Sequence, residues 1–249
     1  MRVLALDTAT RATSVAVCEL AAPAEVGGQA PWPPAMAHEL RDDPPAGERP
    51  GHSRTLLELL ARALQEAGLG WGQIDRLAVG VGPGTFTGLR IGIAVAQGLA
   101  LAHDIPLVGV SSLRSLALGA EPAAAAAGAE QVLAVLDARR REVFAARWAV
   151  GAEPAGEALA GPVAIAPQRL AEELADVAAR VLAVGDGAVE SRAALERGGA
   201  IVPRQPAELH LVSAVHHCRL AAAAAPAPGT VLPNYLRPPD AELSRQRPR

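Results

Sequence analysis

The chain has 249 residues, with 23 Lys+Arg against 26 Asp+Glu and a formal charge of -3. That length fits one large domain or two small ones, large enough to bury a core without disulfides or a structural metal, and the charge excludes a strongly basic coat for nucleic acid. Half of the residues are hydrophobic but only 2% are aromatic, and alanine runs at 123–127 and 221–225 inflate the first figure, so Leu, Val, Ile and Ala must fill the interior.

The elements follow in chain order. Residues 2–6 and 14–20 read as a β-hairpin around a polar, hydroxyl-rich turn at 7–13. Asp7 arrives too early for a signal peptide, and the apolar windows are broken by Arg, Glu, Pro and Gly, so the reading is a cytoplasmic protein without a membrane span. Residues 23–50 hold seven prolines. Within them 35–41 carries a third strand and the rest reads as loop.

Residues 52–67 form a helix with Leu56, Leu57, Leu60 and Leu64 at helical spacing, Ser53 as its cap, and Gly68 and Gly70 as its stop. A strand at 77–81 leads into the turn Gly82-Pro83-Gly84. A helix at 88–103 follows, capped by Thr87 and carrying Gly92 and Gly98. Glycine inside a helix costs about 1 kcal/mol against alanine, so another backbone must come close. That neighbour is either the sheet below or a second helix, across a subunit boundary.

A strand at 107–110, a Ser111-capped helix at 113–118, and a loop or frayed helix at 120–130 come next. Residues 131–136 and 142–150 pair as a second hairpin around the charged turn Asp137-Ala138-Arg139-Arg140-Arg141. That turn is either a solvated tip or a contact for phosphate or RNA. Residues 151–163 read as loop, 167–178 as helix, 181–184 as strand, 185–187 as turn, 188–197 as helix and 208–225 as a long helix. A tail at 231–237 precedes a polar, disordered end. Each half opens on a hairpin and continues by alternating strand and helix, which predicts two α/β lobes built alike.

Asp7 closes the first strand, with Thr8 and Thr10 beside it. An aspartate there can hold magnesium through water while the turn receives phosphate; equally, the side chains can bond the turn's own amides. Ala9 stands where close phosphate approach favours glycine. The stretch Gly82–Arg90 offers amides at a helix start, but it is neither a P-loop nor a dinucleotide fingerprint. Arg90 in the first helical turn calls for a carboxylate partner. The six histidines form no HxxxH or HExxH pair, although His210 and His217 could share a helix face, and no nucleophile constellation stands out. No catalytic or metal-binding residue is therefore assigned.

The stretches MRVLALDTATRATSVAV, GHSRTLLELL, residues 79–92 with GPGTFTGLRIG, DARRREVFAA and PNYLR together resemble the TsaB (YeaZ) family. The resemblance implies an α/β fold of two ribonuclease-H-like lobes of the actin, Hsp70 and sugar-kinase type. The first lobe would span 1–109 with helix 208–225 returning to it, the second 110–207, and 226–249 would be a tail. It also implies a non-catalytic subunit that binds and activates a TsaD-like transferase, which threonylcarbamoylates adenosine 37 of tRNAs reading codons that begin with A. ATP and Mg would be used by the complex rather than by the lone chain. A TsaE-like ATPase would dock on the pair, tRNA would be met only through the complex, and a homodimer would form when the partner is missing.

TsaD-like relatives carry an HxxxH pair and phosphate-binding glycines, and this sequence has neither. Asp7, Thr8, Thr10 and Gly185 would then mark a vestigial or junctional nucleotide site. His52, Leu56, Leu60, Leu89, Gly92, Ala96 and Gly98 would form the pairing surface, with Gly92→Leu expected to abolish pairing and spare the monomer. The competing reading is a kinase or acyltransferase that binds ATP on its own through the Asp7 loop.

Overall fold

The computed structural model describes residues 1–21, 32–45, 47–154, 156–226 and 229–237. The parts of the expected proline-rich loop at 22–31 and the expected disordered end after 237 lie outside them. The first hairpin is β1 (Arg2–Asp7) and β2 (Thr13–Glu19), and β3 (Met36–Asp42) adds antiparallel to β2. Next come α1 (His52–Glu66), β4 (Arg76–Gly82), α2 (Phe86–His103), β5 (Leu107–Ser111) and α3 (Ser112–Ala126). The second hairpin is β6 (Gln131–Asp137) and β7 (Val143–Ala149), followed by β8 (Ala160–Ile165), α4 (Pro167–Ala175) and β9 (Val181–Val184). Two short helices, α5 (Asp186–Glu190) and α6 (Arg192–Arg197), precede a 3-10 turn at Ala207–His210 and α7 (Ala214–Ala223).

The strands make two sheets, ordered β3-β2-β1-β4-β5 and β8-β7-β6-β9. In each, an antiparallel hairpin is extended by parallel pairing, of β1 with β4 and β5, and of β6 with β9. A parallel bridge from Leu182 to Ile201 stands where a fifth strand would complete the second sheet. The expected duplication is therefore present, to the level of strand order.

Strand alternation explains the layers. Val3 and Ala5 face Ala214, Cys218 and Ala221 of α7, while Leu4 and Leu6 face Leu56 and Leu60 of α1 and Ile93 of α2. In the second sheet Val132, Ala134 and Leu136 meet Leu113, Leu116 and Ala117 of α3. Leu133 and Val135 meet Leu170, Leu174 and Leu195 on the far side. With both faces covered, the strands read as continuous apolar runs rather than as alternation. Helices α3 and α7 lie between the sheets and touch each other. Cys18 and Cys218 are buried and unbridged, as composition indicated.

Several elements differ from expectation. The α1 cap is Gly51 and the α2 cap is Thr85, neither through a side chain; Ser53 and Thr87 lie inside their helices. Helix α3 runs on through Pro122 to Ala126. The expected loop at 151–163 contains most of β8, an exposed edge strand in which Gly161 and Pro162 are tolerated. The long helix at 208–225 is broken, and only Ala214–Ala223 is α-helical. Ser111 caps α3 as expected, accepting the Arg114 amide at 3.2 Å.

The helical glycines separate into two kinds. A Cβ on Gly92 would overlap the Thr8 hydroxyl and come within 3.4 Å of Leu6, whereas one on Gly98 would meet nothing within 4 Å. Gly92→Ala is expected to lower the unfolding free energy by about 2 kcal/mol through overpacking. Gly98→Ala should raise it by about 1 kcal/mol through helix propensity. Urea unfolding of the two variants tests the assignment; equal effects of one sign would contradict it.

Candidate functional site

Asp7 ends β1 with its carboxylate fully buried. Oδ1 accepts the Ala9 amide at 2.8 Å. Oδ2 accepts the Ser112 hydroxyl of α3 at 2.6 Å and Nε2 of His217 of α7 at 2.9 Å. Burial alone would raise the Asp7 pKa, but the bond and charge of His217, the Ser112 hydroxyl and the Ala9 amide hold it below the usual carboxylate value. One oxygen of Asp7 thus bonds an amide of its own turn, and the other leaves the turn for α3 and α7.

The segment 7–9 is pressed under β4 and α2. Thr8 donates its hydroxyl to Gly88 O at 2.7 Å, and the Thr85 amide donates to Ala9 O at 2.8 Å. A Cβ on Gly80 would overlap the Asp7 carboxylate, one on Gly84 would stand 2.6 Å from the Ala9 Cβ, and one on Gly88 would overlap Thr8 O. With Gly92 on Thr8, four glycines spaced four apart receive three consecutive residues. An amide at the start of α2 that could have met an anion is thus spent on Ala9. Arg90 finds aromatic partners instead of the expected carboxylate: its guanidinium lies 3.7 Å from the Phe86 ring centroid and its Nε donates to Tyr235 OH at 2.9 Å.

Thr10 does line a cleft between the lobes, of about 180 Å³, shared with Arg11, Arg41, Asp43, Asp186 and His210. The polar groups there are occupied internally. Arg11 donates to Pro45 O and Glu48 O, and Arg41 to Asp43 and Val212 O. Gly185, at φ +112, gives its amide to Nδ1 of His210 at 3.1 Å. Asp186 accepts the amides of Asp137 and Gly187 at 3.0 and 2.7 Å, and burial raises its pKa. These residues do not fit a nucleotide or a magnesium ion. The carboxylate of Asp7 is enclosed, the Ala9 Cβ occupies the close-approach position, and the Gly185 amide is taken. His210 and His217 serve different lobes and share no helix face.

The expected pairing residues also face inward. Leu56, Leu60, Leu89 and Ala96 are buried in the chain's own core, and Gly92 seats Thr8. His52 is buried and bonded through Nδ1 to the Thr13 hydroxyl at 2.8 Å. Of the seven, only Gly98 is exposed. Gly92→Leu would therefore damage the monomer rather than spare it.

The two helices differ on their outer sides. Helix α1 shows solvent Arg54, Glu58, Arg62 and Glu66 around Leu57. The outer side of α2 is less polar: Ala94, Gly98, Leu101 and Ala102 are exposed, Leu101 to 87%, between Thr87 and Arg90 at one end and His103 at the other, with Ile91 and Val95 half-buried beside them. Sequence reasoning missed this face because it followed the apolar residues in helical phase, which are the core set. The signal available was the second apolar set out of phase with it. Ser112 and His217 were also missed, since nothing in the spacing ties them to Asp7.

At the far end of the second hairpin, Arg139, Arg140 and Arg141 are exposed with φ of +63, +55 and +65. Asp137 pairs with Arg139 at 3.0 Å. Among the described residues no group of three or more His, Cys, Asp or Glu could hold a metal, and no helix is long and apolar enough to cross a membrane.

The family model described as TsaD, tRNA N6-adenosine threonylcarbamoyltransferase, matches residues 45–226. The chain is 38% identical over 148 residues to the tRNA threonylcarbamoyladenosine biosynthesis protein TsaB of Escherichia coli K12, covering 59% of this chain and 55% of that one. It is 36% identical to an uncharacterised protein of Mycobacterium tuberculosis H37Rv over 77% of both chains. The solved structure of YeaZ from Pseudomonas aeruginosa superposes with a TM-score of 0.65 at 30% identity, over 88% of this chain and 90% of that one. The match spans about half the length of the curated TsaB relatives.

Asp7→Asn removes the charge that faces His217 and should cost about 3 kcal/mol at neutral pH, the scale of a broken buried pair. Because the folded Asp7 pKa is lowered, its contribution is present above the unfolded pKa. It is lost as pH falls through the folded value, so the gap between wild type and variant should narrow on acidification. Urea midpoints across pH test this; a gap independent of pH would contradict it.

Proposed function

The chain belongs to the TsaB (YeaZ) family, and from that premise we propose that it is a partner subunit in forming threonylcarbamoyladenosine on tRNA. In this reading it binds a TsaD-like transferase and activates it without chemistry of its own. The modified base is adenosine 37 of tRNAs that read codons beginning with A. The observation that carries the reading is the outer face of α2, an exposed apolar surface on a helix whose other side is already in the core. The patch from Ala94 to Ala102 is apolar, and covering it would stabilise a complex.

The closed Asp7 segment supports the same reading from the other direction. ATP and Mg are assigned to the complex, a TsaE-like ATPase to the assembled pair, and tRNA to contact through the complex. A homodimer on the α2 face is the state expected when the transferase is missing, in competition with it. The stand-alone kinase or acyltransferase reading finds no free carboxylate at Asp7 to favour it.

A stable pair should bury more than about 1,000 Å² in total. The double variant Ala94→Arg, Leu101→Asp changes exposed positions, so its unfolding free energy should stay within about 0.5 kcal/mol of wild type. Its affinity for a TsaD-like subunit should fall by about 100-fold or more. Wild-type affinity in a titration with the purified transferase would remove α2 as the docking face.

A further inference from the structure

After α7 the chain returns across the first lobe and reaches the second. Val231 lies over β5, where a Cβ on Gly109 would come within 2.8 Å of it, and its carbonyl accepts Nε2 of Gln97 of α2 at 2.8 Å. The register of β4 with β5 shifts between Gly80 and Gly82, and the Asn234 amide donates to the Val81 carbonyl at that irregularity, at 2.8 Å. Tyr235 stacks on Phe86 with centroids 5.1 Å apart and accepts from Arg90. Leu236 packs against the core of the second sheet. Arg237 then donates to the Glu142 carboxylate and to Ala138 O, both at 2.8 Å.

Those last two acceptors flank the arginine turn. Its three central residues hold a left-handed backbone that is costly for any residue with a Cβ. Such a conformation persists where its surroundings over-determine it. The bonds of the turn include Ala138 N to Glu142 O at 3.1 Å, Glu142 N to Arg139 O at 3.1 Å, and Arg139 N to Asp137 Oδ1 at 2.8 Å. Arg237 closes it from outside by gripping both ends.

We propose that residues 229–237 are a strap between the lobes, anchored on α2 through Gln97, Phe86 and Arg90, that holds the arginine turn in its left-handed shape, so that docking on α2 is felt at the turn. The second half of this statement rests on the docking function proposed above; the first half does not. The strap borders the docking face, with Leu232 exposed to 72% and Tyr235 to 37%. A partner that covers them presses the strap down, and its grip on Glu142 and Ala138 tightens by linkage.

Amide hydrogen exchange of the full chain tests both halves. In Arg237→Ala the amides of Ala138 and Glu142 should exchange at least 10-fold faster, while those of β1 and α1 keep wild-type rates. Arg237→Lys, which keeps a donor for the Glu142 carboxylate and the Ala138 carbonyl, should retain more of the protection than Arg237→Ala. Unchanged rates at Ala138 and Glu142 in Arg237→Ala would overturn the strap.

In the presence of a TsaD-like subunit, wild-type exchange at those two amides should slow at least 3-fold, and Arg237→Ala should bind yet show no slowing. Binding without slowing in the wild type would overturn the coupling and leave docking intact. Absence of binding at all would overturn the docking function and with it the coupling, while the first comparison still decides the strap.

Discussion

Three residues, Asp7, Thr8 and Ala9, lie flush against a ladder of four glycines, and much of the molecule is arranged around that fit. Gly80, Gly84, Gly88 and Gly92 recur every fourth position across β4, the connecting turn and the start of α2. Each receives an atom of the 7–9 segment that a Cβ would displace. The contact fixes where α2 sits on the sheet, while the buried Asp7 carboxylate draws in Ser112 from α3 and His217 from α7. One carboxylate thereby joins the first sheet to the two helices that lie between the lobes. Removing it would leave buried polar groups without partners, which is costlier than never having buried them.

The same fit decides which groups stay buried and which are exposed. The Asp7 carboxylate, the Thr85 amide and the Gly185 amide are turned inward onto His217, Ala9 and His210. Helix α2 commits one side to the sheet and leaves Ala94, Gly98, Leu101 and Ala102 exposed on the other, between Arg90 and His103. Helix α1 beside it is an ordinary amphipathic helix with charges outward. The C-terminal segment runs along α2 and ends on the second lobe, which places the outer side of α2 and the arginine turn on one continuous stretch of contacts.

The hairpin-led repeat was legible in the sequence because hairpins and strand–helix alternation are local signals, and the matching strand order of the two sheets follows from them. The α3 extension was hidden by Pro122, which reads as a breaker although the surrounding alanines favour helix. β8 was hidden because an exposed edge strand with Gly161 and Pro162 carries no apolar alternation. The GPGTFTGLRIG stretch was recognisable as unusual, yet its purpose depends on residues about 80 positions away, and spacing within the motif cannot reveal that. The pairing residues were misassigned for a physical reason: helical periodicity finds the side that packs on the chain's own core. The exposed side is the remainder. His217 was opaque because a histidine in an alanine-rich helix looks alike whether it faces solvent or a carboxylate 210 positions earlier.

The Asp7 segment is closed by its own fold, and on that closure rests the proposal that the chain acts through a partner rather than through a nucleotide of its own. A calorimetric titration of Mg-ATP into the isolated full chain tests it most directly. No binding up to millimolar nucleotide is the predicted result. Magnesium-dependent binding in the micromolar range would contradict it, because it would require Asp7 to leave Ser112 and His217 and the glycine ladder to open.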